Sequence, residues 1–319
     1  MKTALIVPYF GKLPDYFELY LKSCEANPDF HWFILTDDKR DYLLPNNVTI
    51  HLTTLEKLKN FFEKKLEFKI SLDRPYKLCD FRPAFGYFFF DYIKKFDYWG
   101  YCDLDMIFGK ISNFIRLDQL SQYSRVLGRG HLSIYKNSPE VNNYFMLPCT
   151  KINYKDVFSS PKAFFFDEWG GIYHILNENN IPQYIPQQTN EIIIDINPNK
   201  LKFESTKSYL NKPSQLFIYE NEKTYQLYLN EKNQIDKKEF AYIHFQKRRM
   251  QYSKVNKSTE VVIFDSNGFH NVNKNNLEII FSNYKDEPIL KHISFYFYNF
   301  KKKVSSKLNN LKHIIASIK

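Results

Sequence analysis

The chain has 319 residues with 45 Lys and Arg against 35 Asp and Glu, 18 % aromatic residues and only 9 Gly; this is the composition of a folded, strand-containing chain and excludes a disordered or collagenous one. Seven Lys and no acid fall between Pro288 and Lys319, leaving 38 basic and 35 acidic residues elsewhere, so the formal charge of +10 sits mainly on a tail; a nucleic-acid binder needs its basic surface on the folded body, and no nucleic-acid partner is expected. No apolar run reaches the length of a membrane span, and Cys24, Cys79, Cys102 and Cys149 are widely spaced without a Cys-x-x-Cys, which fits reduced thiols of a cytoplasmic protein.

Ala4-Leu5-Ile6-Val7 reads as a buried first strand, not a signal peptide, and ends in Pro8-Tyr9-Phe10-Gly11. A helix is expected from about Pro14 to Glu25. The run from His31 to Asp38 is a second strand ending in acids, and Val48 to Leu52 a third. Thr54 then caps a helix with Leu55, Leu58, Phe61 and Phe62 at helical spacing. Strands alternating with helices predict a mostly parallel sheet covered on both faces, with ligands at the carboxyl ends of its strands. The first loop has neither Gly-x-Gly-x-x-Gly nor a Walker-type sequence. Tyr9 can stack on a base there, and Asp37 or Asp38 can accept from a base or a ribose; a core Tyr and ordinary turn acids are the alternatives.

Pro75 to Gly86 leads into the next helix, whose first turn tolerates Pro83. Lys77 and Arg82 are placed near its positive end, suited to a diphosphate, while Asp80 either holds one of these cations or caps the helix. Phe85, Phe88, Phe89 and Tyr92 form an apolar stripe that belongs to the core. In Trp99-Gly100-Tyr101-Cys102-Asp103-Leu104-Asp105-Met106-Ile107-Phe108 an apolar run ends in two acids one residue apart. A strand there would point Asp103 and Asp105 to one side and Leu104 to the other. Paired hard oxygens suit Mg²⁺ or Mn²⁺, and carboxylates amid apolar residues need a metal or a partner; a turn with two solvated acids is the plainer reading.

Ser124 to His131 and Leu132 to Asn137 read as two strands around a glycine turn, and Ser138-Pro139-Glu140 as a helix start. Phe164-Phe165-Phe166-Asp167-Glu168-Trp169-Gly170-Gly171 presents two acids at a helix start, where the macrodipole alone could account for them. Short strands follow from about Pro182, and Phe240 to Arg248 contains His244 and Lys247. Near the end, Val304, Leu308, Leu311, Ile315 and Ile318 form an amphipathic stripe among lysines, suited to an anionic membrane surface, to packing on the body or to a dimerising coil.

Lys77 to Pro83 together with Tyr98 to Asp105 resembles bacterial glycosyltransferases of capsule and lipopolysaccharide loci, themselves similar to the GT-A galactosyltransferase and glycogenin type. The resemblance implies an α/β GT-A fold, Rossmann-like, with a mixed sheet, flanking helices and a helical C-terminal extension. It implies that Asp103 and Asp105 bind a divalent metal carrying the diphosphate of a nucleotide sugar, and that Arg129 and His131 lie near the cleft for donor and acceptor. It also implies an acid at Asp167 or Glu168 beside the acceptor hydroxyl, a general base if the anomeric centre inverts and a sugar-holding group if it does not. Phe240 to Arg248 resembles the late His-x-x-x-Lys element of such enzymes, although here Lys247 follows His244 after two residues. His244 would be the third metal ligand and Lys247 would meet the phosphate.

The resulting expectation is a GT-A domain over residues 1–255 and an extension over 256–319. Such a protein transfers a hexose, with Mn²⁺ or Mg²⁺, from a nucleotide sugar (a UDP-sugar foremost) to a saccharide or lipid-linked glycan acceptor in surface polysaccharide synthesis. It is expected in the cytoplasm or at the inner membrane face, docked through residues 289–319. The donor-binding set comprises Tyr9, Asp37, Lys77, Asp80, Arg82, Asp103, Arg129 and Lys247. A metal phosphohydrolase and a noncatalytic nucleotide-sugar or glycan-binding subunit are the alternatives. A nucleotidyltransferase would want a glycine-rich, Arg-containing first loop, which is absent.

Overall fold

The structure is a computed structural model that describes residues 1–186, 191–246, 248, 250–252, 261–266 and 268–284. It divides into two compact units, residues 1–193 and 194–319.

The first unit is α/β. Its strands are β1 (Thr3–Pro8), β2 (Phe30–Thr36), β3 (Val48–Leu52), β4 (Tyr98–Cys102), β5 (Met106–Phe108), β6 (Arg125–Arg129), β7 (Leu132–Lys136) and β8 (Gln183–Tyr184). Among the described residues, seven of them form one sheet in the order β3-β2-β1-β4-β7-β6-β8. β3, β2, β1 and β4 run parallel. β8 runs parallel to β6, while β7 is antiparallel to β4 and to β6, so the sheet is mostly parallel with an antiparallel part, the mixed sheet that was expected. The reason is local: β6 and β7 are joined by a two-residue turn, and a tight hairpin can only return antiparallel. Leu127 (φ 74°) and Gly128 (φ 61°) shift the β6–β7 register, so the end of β6 carries a bulge.

The helices are α1 (Phe17–Glu25), α2 (Leu55–Leu66), α3 (Phe85–Phe88), α4 (Phe90–Ile93), α5 (Pro139–Asn142), α6 (Tyr154–Ser159) and α7 (Ile172–Glu178). The Thr54 hydroxyl accepts from the Lys57 N–H at 3.2 Å to cap α2, and Ser138 caps α5 in the same way. Pro75–Ala84 is a ten-residue 3₁₀ stretch rather than the first turn of an α-helix. Phe62, Phe81, Phe85, Phe88, Phe158 and Trp99 are all fully buried in the main core, with the Phe62 and Phe88 rings stacked at 3.9 Å. Tyr92, expected in that core, is 56 % exposed because the helix is interrupted at Phe89, breaking the stripe's spacing.

β4 sits where β7 crosses it closely. A Cβ on Gly100 would lie 2.3 Å from the Ser133 carbonyl oxygen. Backbone cannot yield there, so Gly100→Ala should cost about 1–3 kcal/mol, the usual range for overpacking. It should read as a lower urea midpoint at unchanged slope; an unaltered midpoint would contradict this sheet register.

The second unit contains β9 (Ile193–Asp195) at its start, β10 (Gln215–Glu220), β11 (Lys223–Leu229), β12 (Ile235–Phe240), β13 (Tyr242–His244), β14 (Gln251–Tyr252), β15 (Val261–Asp265), β16 (Gly268–Val272) and α8 (Leu277–Asn283). Six form a sheet, β12-β11-β10-β15-β16-β14, among the described residues. Leu216, Ile218, Leu227, Val261, Ile263 and Phe281 make its core. β12 reads Ile-Asp-Lys-Lys-Glu-Phe, a charged strand suited to a sheet edge. The expected boundary at residue 255 falls inside this unit, since β15 and β16 pair into the sheet that holds β10. The basic amphipathic stretch at 289–319 lies outside the described residues. Among the described residues no helix is long and apolar enough to cross a membrane.

Candidate functional site

The site in the first unit begins where β4 stops. Cys102 is the last residue of that strand, and Asp103-Leu104-Asp105 forms the bend into β5. The two acids are therefore not brought to one side by strand pleating, as expected. The bend does it, and a carboxylate oxygen of each lies within 4.8 Å of the other. Leu104, 4 % exposed, anchors the bend in the core. The Asp103 N–H donates to the His131 carbonyl at 3.0 Å, fixing the first acid against the turn between β6 and β7.

Arg82 spans this acid and another. Its guanidinium pairs with Asp103, donates to Asp167 Oδ2 at 2.9 Å and to the Gly130 carbonyl at 2.6 Å, and lies over the Tyr101 ring at 5.3 Å. Burial works against its charge, but Asp103 above all holds it protonated. Arg82 was expected to await a diphosphate; it is engaged instead by carboxylates.

Asp167 is a strongly perturbed acid. Its carboxyl is raised from 3.8 to about 7: burial pushes it up most, Arg82 pulls it down, and Glu168 and Asp103 add to the rise. Oδ1 is buried and has no hydrogen-bond partner among the described residues. The backbone around it is pinned: Tyr101 Oη donates to the Asp167 carbonyl at 3.2 Å and Arg125 Nη2 at 2.9 Å, while the Ile172 N–H donates to the Phe166 carbonyl at 2.7 Å. Glu168, next in sequence, is exposed, and its carboxylate lies against Gly130, where a Cβ would come within 2.5 Å of Oε1. Neither acid is in a helix; α7 starts only at Ile172, after Gly171 has closed the turn onto the Phe166 backbone, where a Cβ would come within 2.3 Å.

Lys77 and Asp80 correct an expectation. Both are 1 % exposed, out of reach of any donor. Lys77 Nζ donates to Asp80 at 2.8 Å and to the carbonyls of Val157 (2.7 Å) and Lys162 (2.6 Å). Asp80 in turn accepts the N–H groups of Phe164 and Phe166, at 3.0–3.1 Å. Phe165 between them has φ 54°, so the backbone forms a concave nest around the carboxylate. A bulky residue in that region costs of order 1–3 kcal/mol. The pair thus locks the Asp167 turn instead of binding a ligand.

The first loop is held in a related way. Asp37 accepts the Gly11 N–H at 2.7 Å and Asp38 the Leu13 N–H at 2.8 Å, so these acids serve the turn. Tyr9 is half-buried and its N–H donates to the Leu35 carbonyl at 2.8 Å; burial and then the charge of Asp105 raise its phenol's pKa. Tyr16, which sequence reasoning missed, feels burial and then Asp105 more strongly. Nothing in an isolated Tyr at the start of α1 gives that away. Arg125 was also missed, although an Arg set in the apolar strand pattern of β6 is a usable signal. Arg129 pairs with the buried Glu191 at 3.1 Å.

His244 belongs to the second unit, where it is buried and its Nδ1 lies 2.8 Å from Asp195 Oδ1; that oxygen also accepts from Gln246 Nε2 at 2.8 Å. A carboxylate partner fixes the ring's orientation and leaves Nε2 as the ligand atom when a metal is bound. Lys247 lies outside the described residues.

The donor set of Asp103 and Asp105 is chemically suited to a hard cation: two carboxylate oxygens lie within 4.8 Å of each other and could hold one ion between them.

A family model described as a family of unknown function (DUF6625) matches residues 5–308. No curated protein matches the sequence. Among solved structures, a glycosyltransferase involved in the glycosylation of the major capsid of PBCV-1 is similar at 8 % identity and a TM-score of 0.34, over 61 % of this chain and 86 % of that one. A score of that size carries no argument about fold or reaction.

Proposed function

The chain belongs to the DUF6625 family, a family of unknown function, and we propose that it is a metal-dependent GT-A glycosyltransferase that moves a hexose from a nucleoside diphosphate sugar to a saccharide acceptor. The observation that carries the reading is Arg82: one guanidinium joins Asp103 of the Asp-x-Asp to Asp167 of the second acid pair. Two clusters picked from sequence for two halves of one reaction thereby share one site within one unit.

Asp103 and Asp105 are the ligands that would hold the cation, and His244 enters as a third on the ground of its sequence resemblance alone. When bound, the cation supplies charge neutralisation for the leaving diphosphate. Glu168, the exposed acid, takes the proton of the acceptor hydroxyl as that oxygen bonds to the anomeric carbon and the bond from that carbon to the diphosphate oxygen breaks. Asp167, buried and tied to Arg82, positions the cationic bridge and does not touch substrate.

A thermal-shift screen of UDP-, GDP- and CDP-hexoses, each with Mn²⁺ and with EDTA, tests the reading. One sugar nucleotide should raise the melting temperature only with Mn²⁺; at about a hundred times its Kd the gain is about 2.7 kcal/mol. The joint change Asp103→Asn and Asp105→Asn should remove the metal-dependent part. An equal shift in EDTA, or in the double variant, would refute the metal role. Release of free phosphate instead of nucleoside diphosphate would favour a phosphohydrolase.

A further inference from the structure

Of the three tryptophans, Trp32 and Trp99 are completely buried, while Trp169 is 55 % exposed. Phe165, four residues earlier, is 49 % exposed. Two large rings thus face solvent from one short turn, and folding gives no reason for it: burying them would release ordered water.

The turn is not loose. Asp80 holds the N–H groups on both sides of Phe165, and the Gly171 N–H donates to the Glu168 carbonyl at 3.2 Å. The Tyr173 ring backs Trp169 at 4.5 Å and 58°, limiting the indole's rotation. The backbone therefore accepts a strained residue in order to present aromatic rings outward in one arrangement.

Its surroundings identify what would sit there. Glu168 lies between Asp167 and Trp169 in sequence, and its carboxylate rests on Gly130, whose carbonyl receives Arg82. The rings accordingly stand at the edge of the acid cluster. A pyranose carries one face of C–H bonds, weakly positive and apolar, which suits the negative face of an indole. Its hydroxyls donate well to a carboxylate, which can accept from two at once. An apolar protein segment would gain nothing from the carboxylate beside the rings, and a phosphate would be repelled by it.

We infer that Trp169, with Glu168 beside it, is the platform for a pyranose ring of the acceptor saccharide. This rests on the transferase reading, because it assigns where the acceptor of that reaction is seated.

Trp169 is the one solvent-facing fluorophore of its kind, so acrylamide quenching of tryptophan emission reads this place directly. The full chain is titrated with methyl glucoside, galactoside, mannoside and N-acetylglucosaminide, with lactose and with maltose, and with glycerol as the polyol control. At least one pyranoside should protect the emission saturably, with a blue shift, and glycerol should not. Saturation-transfer NMR with that sugar should show affinity reduced at least about tenfold, or about 1.4 kcal/mol, in Trp169→Ala and in Glu168→Gln. Both sites are exposed, so both variants should melt as the parent does. Failure of every pyranoside to protect, or unchanged affinity in Trp169→Ala, overturns the platform. Protection by a pyranoside without any Mn²⁺-dependent nucleotide-sugar shift would instead retain the platform and overturn the transferase. The reverse pattern would retain the transferase and overturn the platform.

Discussion

Arg82→Met should be the most damaging single change in the first unit. Arg82 is 13 % exposed, Asp167 2 % and Asp103 22 % by side chain. Removing the cation forces Asp167 either to take up a proton or to bear a charge facing Asp103 with little water to screen it, and the Gly130 carbonyl loses its donor as well. Breaking a buried pair from one side costs about 3–5 kcal/mol. Urea unfolding at pH 7.5 measures it. The loss should shrink at pH 5, below the folded pKa of about 7, where Asp167 holds a proton in the parent as well and its ion pair with Arg82 is already gone. Arg82→Lys keeps the charge but cannot span both acids with one compact ammonium, and should fall between. A cost under about 1 kcal/mol, in the range of exposed pairs, would mean that the bridge is not made.

The second large effect is a pH dependence carried by Asp167. Its folded pKa of about 7 lies above the ordinary 3.8, so the folded chain binds this proton more tightly than the unfolded one. Folding takes up a proton between about pH 4 and 7, and this group's contribution is favourable below that window and lost as pH rises through it. That difference corresponds to about 4 kcal/mol. Asp167→Asn removes the titration, with the amide oxygen accepting from Arg82. The stability of the variant relative to the parent should therefore improve steadily from pH 4 to 7.5. A difference that stays level across that range would show that Asp167 titrates as an ordinary carboxylate.

Some of this was legible in the sequence. The strand runs around Ile6, Ile34 and Ile50 and the Ser138 and Thr54 caps follow from periodicity and cap chemistry, which act over a few residues. So does the accumulation of acids after Cys102. The order of the strands was less accessible, because where a strand returns depends on the β6–β7 turn and on which edge of β4 accepts it. Lys77 and Asp80 show a different difficulty. Cations and acids look alike in sequence whether they meet a ligand or each other, and only the partners at Val157, Lys162, Phe164 and Phe166 decide it. Arg82, just before Pro83, carried no sign that its two partners stand 21 and 85 residues away. The second unit was foreseen only in pieces: β12 is too polar to look like a strand, since an edge strand needs few apolar residues.

The 3₁₀ stretch from Pro75 to Ala84 joins two jobs that most scaffolds keep apart. Its early residues clamp one side of the acid turn through Asp80, and its late residue Arg82 grips the side chain of that same turn. Any drift in this short rod would move both grips together, so tolerance to substitution should be poor along its whole length. Natural variation is then expected at the rim, around the indole and its neighbouring acid, where a residue can change without dragging both grips with it.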